Sequence, residues 1–470
     1  MDLRAAYDTV DRRLLWTYLA TKFGMPLKLI RLLRAFFDSN QSYLLVRGER
    51  SSPIKNLRGL PQGSSLSPTL FNFFINILIE LLEQTQLSEP LDSKCLYFAD
   101  DANLHAKNPN DMQTLLNVCD DWARTHGMQF APDKCFVVAK SPMALKLDKT
   151  PLPQVENTKY LGIFMANAGP DWTQMASVLA LKAKKVTMAL IRIGFNKKTW
   201  APSAKIDVYK LFIRPLLEYG MQVNLYDSKS TQLFERTQQL ALRIAYGVPW
   251  NTSKTALKRL SCLESIKSRN HLLNAKFLWK LKTQADDSLP AFSTFEASLN
   301  NKKSITFEWK KLNIYFHRLI NLSSLRINNE IKLIRQENIE QDEMGHTKVS
   351  SAIPVKKDLR RSTILSWTGI EDMTIKLELI QWRLGRIAFH QRCHHCGDSL
   401  SRKHAVICSG AEEFLESKFP EIEVPASQTI IDAILNKFFN KNDRTVYLDV
   451  FEAIQGIRRT CLLQTLEPTL

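Results

Sequence analysis

Apolar positions over residues 14–38 recur at helical spacing among basic ones and break at Gly24-Met25-Pro26, which predicts two short helices joined by a turn. Residues 42–47 read as a strand, and 48–51 as a turn into a second one. From Ser67 onward, Leu70, Phe71, Phe74, Ile75, Leu78, Ile79 and Leu82 fall every three or four positions. They predict a strongly amphipathic helix whose first turn accepts Pro68. Strands are expected at 95–98 and 103–106, flanking the acidic pair Asp100-Asp101. Met112, Leu115, Leu116, Cys119 and Trp122 mark another helix, and 130–139 and 160–165 read as further strands. The fold class expected to about residue 165 is α+β, a small antiparallel sheet backed by helices.

Beyond residue 166 the strand signal fades. Helices are expected over 172–194, 202–224, 228–247 and 252–282, with Lys182, Lys184, Lys185, Arg192, Arg236, Arg243, Lys254, Lys258 and Arg259 among them. Polar stretches at 283–305 and 338–353 read as linkers. The expected division is therefore 1–165, 166–283, 284–353 and 354–470, the last helical and holding three clustered cysteines.

Charge changes the picture. The 470-residue chain carries a formal net charge of +17, with a pI near 9.4. Lys and Arg gain affinity by releasing counterions condensed on phosphates, so a polyanionic partner is indicated. A soluble basic protein without nucleic acid is the plain alternative. Of the eight cysteines only Cys393, Cys396 and Cys408 lie close together, which indicates a reducing intracellular compartment rather than a disulfide framework. The apolar run over 71–82 is interrupted by Asn72, Asn76 and Glu80, so a soluble protein with no membrane partner is expected.

Four strings then stand in order: Asp2-Leu3-Arg4-Ala5-Ala6-Tyr7-Asp8, Gly59-Leu60-Pro61-Gln62-Gly63-Ser64, Phe98-Ala99-Asp100-Asp101 and Tyr160-Leu161-Gly162. Taken singly each is weak, since an Asp-Asp in a hairpin is ordinary turn chemistry. Their order and spacing together resemble the palm of a reverse transcriptase, and the wording is closest to non-LTR retrotransposons. That resemblance implies a right-hand polymerase palm, a helical thumb and a C-terminal helical zinc-binding segment. The family carries a fingers subdomain ahead of the first string, so the chain is expected to be a polymerase core that lacks it.

Residue by residue, the resemblance implies Asp2, Asp100 and Asp101 as ligands of two Mg²⁺ ions, which such chemistry holds about 3.5–4 Å apart. Tyr7 matches the steric gate against a ribose 2′-hydroxyl. Gln62 and Gly63 belong to the loop that lies against the incoming nucleotide. Lys134 matches the general acid to the leaving pyrophosphate, although Ala131 and Cys135 beside it depart from the family's usual Asn and Thr or Ser. Tyr160, Leu161 and Gly162 match the primer grip, and the basic helices after 166 the thumb. The implied activity is RNA-directed DNA synthesis, with an RNA template, a DNA primer and deoxynucleoside triphosphates as partners, in the nucleus. The alternative is an inactive retrotransposon remnant that only binds nucleic acid.

Cys393, Cys396, His404 and Cys408 fall within 16 residues. Three thiolates and an imidazole suit tetrahedral Zn²⁺ and leave no open position, so one structural zinc is expected, with His394 and His395 as alternative or outer partners. The arrangement resembles the zinc segment that follows the thumb in non-LTR reverse transcriptases.

Overall fold

The computed structural model describes residues 1–91, 93–197, 199–284, 305–341, 373–384, 392–426, 428–438 and 444–461. The expected linkers at 283–305 and 338–353 fall largely outside them. The chain divides into two units, Met1–Asp171 and Trp172–Leu470.

In the first unit α1 (Ala6–Thr9) follows the first acidic string, and α2 (Arg12–Thr21) and α3 (Leu27–Asp38) flank the expected break. Arg12 is buried beneath them, and its guanidinium donates to Phe37 O at 2.6 Å and to Asn56 O. Four short strands come next: β1 (Gln41–Ser42), β2 (Leu45–Val46), β3 (Glu49–Arg50) and β4 (Ile54–Lys55). They pair as β1 with β4 and β2 with β3, so the single strand expected over 42–47 is split into two ladders.

Helix α4 (Ser67–Gln84) carries Pro68 in its first turn, and its Phe71, Phe74, Leu78 and Leu82 are fully buried. Strands β5 (Cys95–Phe98) and β6 (Asp101–Leu104) form the acidic hairpin, with β6 starting two residues before the expected strand at 103–106. Helix α5 (Pro109–His126) begins at Asn108, whose side chain accepts from Asp111 N–H at 2.8 Å, and ends at Gly127 in the left-handed region. Its Leu115, Leu116, Cys119 and Trp122 join the α4 residues in one core.

The strand expected at 130–139 does not form as such. Pro132 has no N–H to give a ladder, and Pro132–Lys134 wraps into a 3₁₀ turn. Strands β7 (Lys146–Leu147) and β8 (Thr150–Pro151) make a hairpin, and β9 (Asn157–Tyr160), β10 (Ile163–Ala166) and β11 (Gly169–Pro170) a three-stranded ribbon. The unit is mixed helix and small antiparallel sheets.

The second unit is helical among the described residues. Its first part runs through α6 (Trp172–Arg192), α7 (Pro202–Val208), α8 (Arg214–Glu218), α9 (Ser228–Tyr246), α10 (Lys254–Ser261) and α11 (Ile266–Gln284). Glu218 is held between Arg214 at 3.2 Å and Arg269 at 2.7 Å. Then come α12 (Ile305–Leu312), α13 (Phe316–Leu319), α14 (Ser324–Gln341), α15 (Met373–Arg383), α16 (Arg402–Cys408), α17 (Ala411–Lys418), α18 (Ile430–Lys437) and α19 (Arg444–Cys461). No helix among the described residues is long and apolar enough to cross a membrane.

Candidate active site and metal centre

Main-chain bonds grip the first four residues from both sides. The Met1 ammonium donates to Ala102 O at 2.7 Å, and Ala102 N–H donates back to Met1 O at 3.2 Å. On the other side Arg4 N–H donates to Gln129 O at 2.8 Å and Ala131 N–H to Asp2 O at 2.9 Å. These flank an antiparallel bridge between Leu3 and Phe130. Two residues that exchange both bonds are antiparallel partners, so Asp2 stands across from Asp101. Alternation then decides which way each side chain points. Leu3, Ala102 and Phe130 turn into the core, at 3%, 2% and 3% exposure, and Asp2 and Asp101 share the opposite face. Asp100 occupies the two-residue turn beside Ala99, whose φ of 54° is left-handed.

The carboxylates feel one another. Burial, then Asp100, then Asp2 raise the Asp101 carboxyl above its ordinary value, against the pull of the N-terminal ammonium. Burial and then Asp100 raise Tyr7, while burial and then Asp101 raise Tyr160. Both rings therefore border the acidic pair. Repelling hard oxygen donors on adjoining strands fit divalent cations such as Mg²⁺, which would relieve the repulsion. Lys134 Nζ lies 3.4 Å from Asp2 Oδ2. Next to it the fully buried Cys135 accepts the Asp2 N–H at Sγ, 3.4 Å away.

A loop braces this edge. Tyr7 stacks on Phe71 with ring centroids 4.8 Å apart. Its carbonyl accepts Leu60 N–H at 2.7 Å, and Gly59 N–H donates to Val10 O at 2.9 Å. Gly59 has φ 82°, and a Cβ there would lie 2.6 Å from Asp8 O, so only glycine lets the loop come this close. Gln62 Nε2 donates to Asp8 Oδ2 at 3.3 Å, and Gly63 is exposed with φ 90°. Arg58 ties three segments together, donating to Thr9 O at 2.6 Å and to Gly127 O at 2.6 Å. On the other flank Tyr160 donates to Leu96 O at 3.2 Å. Leu161 and Gly162, at φ 49° and 77°, make the β9–β10 turn, the doubly left-handed geometry that matches strand twist. Arg58 escaped the motif reading, and Cys135 entered it only as a departure from the family's wording, because their partners are backbone atoms distant in sequence.

In the second unit Cys393, Cys396, His404 and Cys408 place their ligand atoms within 4.8 Å of one another. A turn built by Cys393 N–H to Asp398 O (2.7 Å) and Gly397 N–H to Cys393 O (2.8 Å) supplies the first two. Ser401 caps α16, accepting His404 N–H at 3.1 Å, and His404 and Cys408 then sit four apart on one helical face. Cys396 Sγ is 3.2 Å from His404 Nε2, and Cys393 Sγ is 3.7 Å from Cys408 Sγ. Burial raises the Cys393 thiol, but N–H groups of Cys396 and His395 and the His404 ring outweigh it and bring it down to about 6. The donor set fits tetrahedral Zn²⁺. His394 lies outside the set and gives its N–H to Cys461 O at 3.1 Å. Arg402 anchors the helix through Asp432 at 3.1 Å, which also pairs with the buried Arg383.

Residues 1–165 match the family model described as reverse transcriptase (RNA-dependent DNA polymerase). The chain is 25% identical over 241 residues to a Pol polyprotein from the type-1 retrotransposable element R2 of Popillia japonica, covering 47% of this chain and 38% of that protein. It is 26% identical to the RNA-directed DNA polymerase from mobile element jockey of Drosophila melanogaster, over 53% of this chain and 28% of the relative. A probable RNA-directed DNA polymerase from transposon X-element of the same fly is 22% identical, over 55% and 29%. The chain thus spans well under half the length of the curated relatives it matches.

Proposed function

Residues 1–165 are a reverse transcriptase domain of the kind found in non-LTR retrotransposons, and from that premise we propose that this chain extends a DNA 3′-end on an RNA template. The observation that carries the reading is Asp2 standing across from Asp101, with Asp100 in the adjoining turn. These three side chains would hold two Mg²⁺ ions. Bound there, the ions would activate the primer hydroxyl and neutralise charge on the leaving pyrophosphate.

The chain's own residues supply the rest. Tyr7, fixed against Phe71, serves as a wall against a ribose 2′-hydroxyl. Gln62 and Gly63 present an amide and an open backbone to the nucleotide, with Asp8 orienting the amide. Lys134, an exposed ammonium beside Asp2, protonates the pyrophosphate. Tyr160, Leu161 and Gly162 steady the primer end. Residues 1–165 act as palm, the helices over 166–283 as thumb, 284–353 as connector, and the Cys393, Cys396, His404 and Cys408 centre as a structural zinc module that touches nucleic acid. Work on genomic DNA implies the nucleus.

Primer extension on an RNA template, with the Asp100→Ala, Asp101→Ala double variant as control, tests this. Template-dependent synthesis lost in the variant supports the polymerase. Nucleic-acid binding without synthesis by the unmutated chain overturns it in favour of an inactive binder.

A further inference from the structure

The hairpin that follows α3 is bare to solvent, with residues 41–50 and 52–55 all exposed. Arg47 and Gly48, at φ 51° and 88°, make its turn. Leu45 pairs with Arg50 and Val46 with Glu49, then Gln41 with Lys55 and Ser42 with Ile54. Paired residues of an antiparallel ladder share a face, and neighbours along a strand alternate. One face therefore carries Gln41, Tyr43, Leu45, Arg50 and Lys55, while Glu49 stands on the other with Leu44, Val46 and Ile54. Between the two ladders the return strand holds one residue more than the outgoing one, an irregularity of the bulge kind. Two contacts settle the facing across it. The Arg50 guanidinium lies over the Tyr43 ring, 5.9 Å from its centroid, and the Tyr43 hydroxyl donates to Gln41 Oε1 at 3.3 Å.

The two faces differ in kind. The first sets Tyr43 between Lys55 and Arg50, which lie about 13 Å apart along the strand at roughly 3.3 Å per residue. Arg47 adds a third cation at the tip, and among the described residues none of the three pairs with a carboxylate. The sole acid of the hairpin, Glu49, is on the opposite face. Arg50 steadies the tyrosine ring and still leaves the residue 50% exposed. Unpaired cations around an open ring match a polyanion whose units each offer a flat π surface. Single-stranded nucleic acid is such a partner, its phosphates meeting the cations and a base stacking on the ring. A duplex keeps its bases within its own stack, so it can use the cations and not the ring.

We propose that this face of the hairpin binds single-stranded RNA, with a base on Tyr43 and phosphates on Arg47, Arg50 and Lys55. That the strand is RNA rests on the reverse transcriptase reading, in which the unpaired strand is the template. Stacking and charge do not depend on it, and the experiment separates the two.

A labelled single-stranded RNA of about 12 nucleotides is titrated with the full chain, without metal or nucleotide, and binding is read by fluorescence anisotropy. Tyr43→Ala should weaken it about 10-fold, and Tyr43→Phe, which keeps the ring and loses the hydroxyl, should recover most of that loss. The Arg50→Ala, Lys55→Ala double variant should make the log–log salt slope shallower by about 1.4, as expected for two phosphates of a single strand. Tyr43→Ala should bind a blunt RNA–DNA duplex as the unmutated chain does. Single-strand affinity unchanged in Tyr43→Ala and in the double variant overturns the assignment alone. Equal losses on single strand and duplex in Tyr43→Ala make the hairpin an unselective phosphate contact and also overturn it. A shift from dimer to monomer in Tyr43→Ala, with RNA binding unaltered, gives the face to a second copy of the chain instead. A chain that makes no DNA in primer extension, yet loses single-strand affinity in these variants, overturns the polymerase reading and leaves this face standing.

Discussion

Asp101 carries a clear electrostatic signature, and it can be tested without any nucleotide. Its carboxyl is raised by burial, by Asp100 and by Asp2. Above the ordinary value of 3.8 the unfolded chain has released this proton while the folded chain still holds it. Folding therefore takes up a proton in that window, and stability falls as pH rises through it. In metal-free protein at neutral pH, Asp101→Asn should melt higher than the unmutated chain, by a degree or two. The difference should vanish below the ordinary carboxyl value and reverse in saturating Mg²⁺, which stabilises only the intact site. Identical melting curves at every pH and Mg²⁺ concentration would show that the carboxylates do not act together. The dipeptide itself was visible in the sequence, and so were Cys393, Cys396, His404 and Cys408, whose ligand atoms the fold gathers within 4.8 Å of one another. The contacts of Cys135 and Arg58 were not, since each touches main chain far along the polypeptide, which no local spacing encodes.

Helices with one apolar face were legible. The periodicity of 67–82 and the Met112 to Trp122 positions fixed α4 and α5 because burial of that face stabilises them. Interruptions were harder to see. The helix expected over 202–224 passes through a π turn at Tyr209–Ile213 ahead of Pro215, which has no N–H for the preceding carbonyls. The one expected over 252–282 breaks at Cys262, whose φ is 48°. The strand expected at 130–139 was lost to Pro132, although Gln129 and Ala131 do pair with the N-terminal segment. At the loop against α1, contact is set by a missing side chain. Gly59→Ala would drive Cβ into the Asp8 backbone and hold a non-glycine residue at φ 82°, costing about 1–3 kcal/mol. Loop and α1 must separate, so primer extension should drop about 10-fold or more even where the protein remains folded. Wild-type activity in Gly59→Ala would mean that the close approach is dispensable.

For the molecule as a whole, the +17 charge makes a prediction that no single lysine does. If the chain neutralises about six phosphates or more of an RNA–DNA duplex, its affinity should fall roughly 10³-fold between about 50 and 200 mM salt. Fluorescence anisotropy across that range measures the slope, and a nearly flat response would show that the basic surface does not meet the duplex.

Residues 1–4 are stitched to Ala102 just before α5 and to Gln129 and Ala131 just after it. The 18-residue helix is therefore a measuring rod between two seams of one narrow patch. Deleting any one of its residues would swing the far seam by about 100° and draw it in by about 1.5 Å. Asp2 would then be tethered at one margin and adrift at the other, so a substitution on the exposed face of this rod should disturb the acidic site far less than a change in its length.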